Sequence, residues 1–145
     1  MARKYNFKVA TNLVIMRDGK VLLMRRQNTG WNDGNYALLG GHVEDGENVF
    51  DAAAREANEE IGIVVKKENL KPLFVMQIEP DYVYFYFGVE QFDGEPQNME
   101  PDKCDDFRFF APEDFPENVI PTDKKALSKI FGERKTTFDI FGWGE

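Results

Sequence analysis

Three glutamates, Glu56, Glu59 and Glu60, stand close together in the stretch from Phe50 to Gly62. If that stretch is helical, about 100° per residue gathers them with Ala52 on one wedge. Phe50, Ala53, Ala54, Ala57 and Ile61 then form a separate apolar stripe that faces a core. Like charges one turn apart repel by roughly 0.2–0.5 kcal/mol per pair, and the C-terminal half of a helix disfavours anions. Two chemistries fit such crowding. One is a solvated acidic face, with Arg55 softening the repulsion by reaching Glu59. The other is a set of hard oxygen ligands for Mg²⁺ or Mn²⁺, with the small Ala52 leaving room for something to approach.

The elements around this patch are legible. Asn48 reads as a helix N-cap with Asp51 suited to the positive helix end, and Gly62 as the left-handed stop after Ile61. Upstream, Lys8 to Met16 and Val21 to Met24 flank Asp18-Gly19 and predict a β-hairpin. Gln27 to Asn35 is a polar loop with Trp31 at its middle, and Tyr36 to Leu39 is a short strand ending at Gly40-Gly41. Downstream, Leu73 to Ile78, Tyr82 to Phe92 and Phe107 to Phe110 read as strands. Asp93 to Lys103 reads as a polar loop and Asp123 to Phe131 as a second amphipathic helix. Residues 1–145 are expected to form a single domain of α/β class with mixed strands.

Composition narrows the function. Hydrophobic residues make up 42% of the 145 residues and aromatics 14%, which suits a packed globular chain. The net charge of −8, without a Lys/Arg run, argues against a nucleic-acid polymer as partner. An acidic chain that takes an anionic substrate must recruit counter-charge, and divalent cations supply it. The lone Cys104 fits a reducing compartment. Met1 to Tyr5 offers no apolar signal core and no long apolar run occurs, so a cytoplasmic protein without membrane association is expected.

Gly41, Glu47, Arg55, Glu56, Glu59, Glu60 and Gly62, with Ala57 and Ile63 at apolar positions, resemble the Nudix box GX5EX7REUXEEXGU. Seven such identities would coincide by chance on the order of once in 10⁸ to 10⁹ trials. Ala57 stands where the family usually has a larger aliphatic residue, and Leu39 replaces a common proline. The resemblance implies the Nudix fold, an α/β/α sandwich with a central mixed β-sheet and the box as loop–helix–loop. It implies an enzyme, a Nudix hydrolase that cleaves a diphosphate linkage in a nucleotide with Mg²⁺, or Mn²⁺, as cofactor.

Carried over by position, the resemblance makes Glu56 and Glu60 the main metal ligands, Glu59 a ligand or the base, and the Gly40 carbonyl a further ligand. Arg55 would pair with Glu47 and orient the carboxylates. Glu100 resembles the loop glutamate that completes the metal site in MutT-like members. Arg26 resembles a phosphate-contacting arginine, and Asn118 the asparagine that reads the purine. Trp31 or Phe85 could stack on a base, although packing is the simpler role for Phe85. His42 follows the double glycine and could touch a phosphate.

Three functions stay open: a MutT-like triphosphate pyrophosphohydrolase, acting for example on oxidised purine nucleotides such as 8-oxo-dGTP; a pyrophosphatase for ADP-ribose or a similar linked diphosphate; and a nucleotide-sensing domain without catalysis. The intact carboxylate set speaks against the sensor. Many family members are homodimers, so a homodimer is an expectation of the resemblance alone.

Overall fold

The computed structural model of the chain describes residues 4–132 and 136–144. Two strands, β1 (Lys8–Arg17) and β2 (Lys20–Arg26), form the expected hairpin. Asp18 and Gly19 at its tip have φ of 54° and 74°, the left-handed pair that matches strand twist. Short strands β3 (Tyr36–Ala37) and β4 (Leu39–His42) lead into helix α1 (Val49–Ile61). Then follow β5 (Lys71–Ile78), β6 (Tyr82–Val89), β7 (Cys104–Phe110), α2 (Pro121–Phe131) and β8 (Phe138–Phe141).

The sheet is mixed. One run is ordered β4-β1-β6-β5-β8, with β1 parallel to β6 and β5 parallel to β8. At Met16 and Arg17 the strand β1 also joins β2, which pairs onward with β3 and β7. Strand alternation then builds two cores from one sheet. Leu13 and Ile15 of β1 join Ala53, Ala57, Ile61, Ile63, Phe87 and Val89 against α1. Val14, between them, joins Leu23, Phe74, Met76, Tyr86, Ala126 and Leu127 against α2. The result is the α/β/α sandwich. Ile61 is completely buried, so Ile61→Ala would cost about 2–5 kcal/mol.

Both ends of α1 follow the sequence. Asn48 and Asp51 make a reciprocal capping box, and Gly62 closes the helix at φ 72°. Other boundaries moved. The strand expected over Tyr36 to Leu39 is split, because Asp123 Oδ2 takes the Leu38 N–H at 2.9 Å and Leu38 leaves the ladder. Gly40 and Gly41 lie inside β4 rather than after it. Helix α2 starts at Pro121, which needs no N–H partner in a first turn. Strand β6 stops at Val89, and β8 was not foreseen. Ala52 is completely buried, so it leaves no open approach to the carboxylates. No helix among the described residues is long and apolar enough to cross a membrane.

Candidate active site

Arg55 organises the box from inside the helix. Its Nε donates to Glu47 Oε2 at 2.7 Å and its Nη2 to Glu47 Oε1 at 3.0 Å, a two-point grip on the loop before α1. Nη2 also donates to the His42 carbonyl at 3.0 Å, which ties the helix to β4. Nη1 reaches Glu56 Oε1 at 2.9 Å and Glu59 Oε2 at 3.2 Å. These bonds to Arg55 come first among the causes that hold Glu47 below the usual carboxylate range. The Arg55–Glu47 pairing expected from the sequence is present.

Glu56 is buried at 8% exposure under β4. It fits only because Gly41 has no side chain: a Cβ there would run into the Glu56 carboxylate. Glu60 lies one turn on, and its Oε2 accepts the Gly40 N–H at 3.2 Å. Burial, then the charge of Glu56 and a hydrogen bond with it, then Glu100, push the Glu60 carboxyl up to about 9.

Glu100 reaches this place through the loop after β6. Gln97 and Met99 donate their N–H groups to the carbonyls of Ile61 and Glu60 at 2.9 and 3.2 Å, so the loop caps the open end of α1. Asn98 staples the same turn, with Oδ1 accepting from Glu100 N and Nδ2 donating to the Cys104 carbonyl. Glu56 and Glu60 are thus neighbours at the end of the helix, the charge of Glu100 bears on Glu60, and Arg55 touches only Glu56 among them. Glu59 is different: its side chain is 56% exposed and leans on Arg55. Among the described residues no three acidic, histidine or cysteine side chains form a ready cage for a metal ion.

Two chambers open beside the acids. The larger, about 420 Å³, is lined by Glu60, Glu100, Arg25, Arg26, Asn28 and Lys103 among others. The smaller, about 210 Å³, has Asn12, Arg26, Trp31, Tyr84, His42 and Asp123 on its walls. Arg26 and the stretch Ala37, Leu38 and Gly40 border both. The Arg26 guanidinium stacks 4.8 Å from the half-exposed Trp31 ring and donates to the Trp31 carbonyl.

Asn118 and Phe85 fall elsewhere, while His42 stays on the wall of the smaller chamber. The Asn118 side chain is exposed and donates to the Gly34 carbonyl at 2.9 Å, away from either chamber lining. Phe85 packs against the α1 core. His42 Nε2 lies 2.9 Å from the Tyr82 hydroxyl. The sequence missed Asp123, which is 1% exposed and binds Leu38 N and the Tyr86 hydroxyl. Burial pushes its carboxyl up to about 6, against the pull of those two donors. An acid in the first turn of a helix is ordinary, so only the turn of α2 toward the sheet reveals it.

Comparison with known proteins agrees with this geometry. The NUDIX domain profile matches residues 6–130. The crystal structure of a MutT Nudix hydrolase from Burkholderia pseudomallei superposes with TM-score 0.77 at 30% identity, over 85% of this chain and 97% of that one. An oxidized purine nucleoside triphosphate hydrolase of Danio rerio is 32% identical over 100 residues, 66% of this chain and 63% of that protein. An ADP-ribose pyrophosphatase of Methanocaldococcus jannaschii is 44% identical over 62 residues, 43% of this chain and 36% of that protein. With the box residues, the sandwich and this match across most of its length, the chain belongs to the NUDIX domain family.

Proposed function

We propose that the chain is a metal-dependent pyrophosphohydrolase of nucleoside triphosphates, of the MutT kind. The observation that carries this reading is the Glu56–Glu60 pair, with Glu60 and Glu100 both lining a cleft whose border residue is Arg26. The acids fit a hard divalent cation by their chemistry: all donors are oxygens, and burial together with the neighbouring acids raises the Glu60 carboxyl, a cost that a cation would offset. Mg²⁺ or Mn²⁺ bound there would neutralise phosphate charge and acidify water. Glu56 and Glu60 would hold the ion, with Glu100 and the Gly40 carbonyl as further ligands.

The chain's own residues divide the remaining work. Arg55 fixes the direction of Glu56 and tethers Glu59, which can take a proton from water at the helix surface. Arg26 is placed to hold phosphate oxygens at the border of the two chambers. The smaller chamber suits a base, with Trp31 and Tyr84 as ring walls and Asp123 and Asn12 as its polar groups. Asp123 replaces Asn118 as our candidate for reading the base edge.

A screen with Mg²⁺ over canonical and oxidised triphosphates, ADP-ribose, NADH and dinucleoside polyphosphates, with product identification, tests the proposal. Nucleoside monophosphate and pyrophosphate from a triphosphate are the expected products. Hydrolysis of ADP-ribose alone would support the second reading, which the Methanocaldococcus relative's name favours. Tight nucleotide binding without turnover would sink both. A soluble cytoplasmic location and a homodimer remain part of the proposal, checked by fractionation and by mass in solution.

A further inference from the structure

The larger chamber carries more positive charge than its acids use. Arg25 is committed to Asp105 at 2.7 Å. Arg26 donates to two neutral oxygens, the Trp31 carbonyl and the Thr29 hydroxyl. Lys103 lines the same chamber as Glu60 and Glu100, and its ammonium has no carboxylate partner among the described residues. In a chain of net charge −8, an unneutralised lysine facing a cleft is a place for an anion.

The backbone under Lys103 is fixed on both sides. Its N–H donates to the Glu100 carbonyl at 2.9 Å, and its own carbonyl accepts from Gln27 N at 2.9 Å. The side chains of Gln27 and Asn28 donate to the carbonyls of Pro101 and Asp102 at 3.0 Å. The loop that delivers Glu100 is thus sewn to the end of β2, where Arg25 and Arg26 sit. Lys103 is rooted at the chamber rim rather than on a free loop, so holding a ligand there costs less ordering entropy.

We propose that Lys103, with Arg26, binds the terminal phosphates of a polyphosphate tail, and so selects triphosphates over diphosphates linked to a sugar. This rests on the pyrophosphohydrolase reading. In that reaction, water adds to one phosphorus of the bridge that joins the nucleoside phosphate to the pyrophosphate. The oxygen bridging to the next phosphorus leaves with the bonding electron pair, and the proton lost by water passes to a carboxylate or solvent. The pyrophosphate product carries more negative charge than a sugar phosphate, and Lys103 answers that difference.

The test compares Lys103→Ala and Lys103→Arg with wild type on a triphosphate and on ADP-ribose, each with Mg²⁺. Lys103→Ala should lower the ratio of the two kcat/KM values about tenfold, the scale of one charged hydrogen bond. Inhibition by inorganic pyrophosphate should weaken by a similar factor, and Lys103→Arg should restore both. Lys71→Ala, which removes one exposed positive charge from β5, serves as the control for net charge. Equal loss on both substrates would overturn the proposal, as would unchanged inhibition by pyrophosphate. So would loss of the Mg²⁺-induced rise in Tm in Lys103→Ala, because that would trace the effect to Glu100. Should wild type cleave neither substrate, the activity reading fails by itself. Calorimetric binding of pyrophosphate with Mg²⁺ would then still decide the role of Lys103.

Discussion

Two carboxyl groups border the cleft, half-buried Glu60 of α1 and fully buried Asp123 of α2, and their surroundings differ in kind. Glu60 of α1 stands among other acids, with a single backbone N–H on its side. Asp123 of α2 has the Leu38 N–H and the Tyr86 hydroxyl, and no acid figures among the causes of its shift. Both are pushed upward by burial, to about 9 and about 6. The first is an arrangement that wants external positive charge. The second is largely satisfied by the fold itself. Burial of an acid is therefore a poor sign of its role, and the company it keeps is a better one.

The sharpest way to break this contrast is to remove charge from the crowded side. Glu56→Gln or Glu60→Gln should lower turnover about a hundredfold or more, measured as pyrophosphate release under saturating Mg²⁺. Glu59→Gln should cost less, since Glu59 is mostly exposed and held only by Arg55. If Glu59→Gln proves the most damaging of the three, our division of roles is wrong. Gly41→Ala comes next. Its Cβ must displace the Glu56 carboxylate, so activity should fall about tenfold with a destabilisation of about 1–3 kcal/mol, read by urea unfolding.

Metal supplies a third comparison. Mg²⁺ should raise the Tm of wild type, because it binds only where the carboxylates are assembled, and should do so much less in Glu60→Gln. Identical melts with chelator and with millimolar Mg²⁺ would contradict the acid-side reading. The smallest effect belongs to Asp123. Between about 3.8 and 6 the folded chain keeps a proton on Asp123 that the unfolded chain has released. Its contribution to stability is full below that window and is lost as pH rises through it. Asp123→Asn should remove this slope, so the difference between wild type and variant should change across pH 4 to 6.5 and stay level above. A constant difference across the window would show that Asp123 is not shifted.

Much of this was written in local sequence. The capping box at Asn48, the stop at Gly62, the hairpin at Asp18-Gly19 and the Arg55–Glu47 pair depend on residues near in sequence, and their spacing gave them away. What stayed hidden depends on contacts across the chain. Asp123 meets Leu38 over 85 positions, and nothing in a helix's first turn announces such a partner. Lys103 looked like the end of a polar loop until that loop proved to be stitched to Gln27 and Asn28. Strand β8 pairs in parallel with β5 from far along the chain, which no turn signal could mark. Asn118, to which the resemblance points for the base, donates to the Gly34 carbonyl, while Asp123, five residues later on α2, lines the smaller chamber.

The stretch Leu38-Leu39-Gly40, laddered to β1 from Leu39 onward, is also held by an acid from each helix. Asp123 of α2 holds the Leu38 amide, and Glu60 of α1 holds the Gly40 amide. That stretch borders both chambers, and each acid bonds to a different amide of it. A cation that drew the Glu60 carboxylate away would therefore free the Gly40 amide while the Asp123 bond to Leu38 stayed in place.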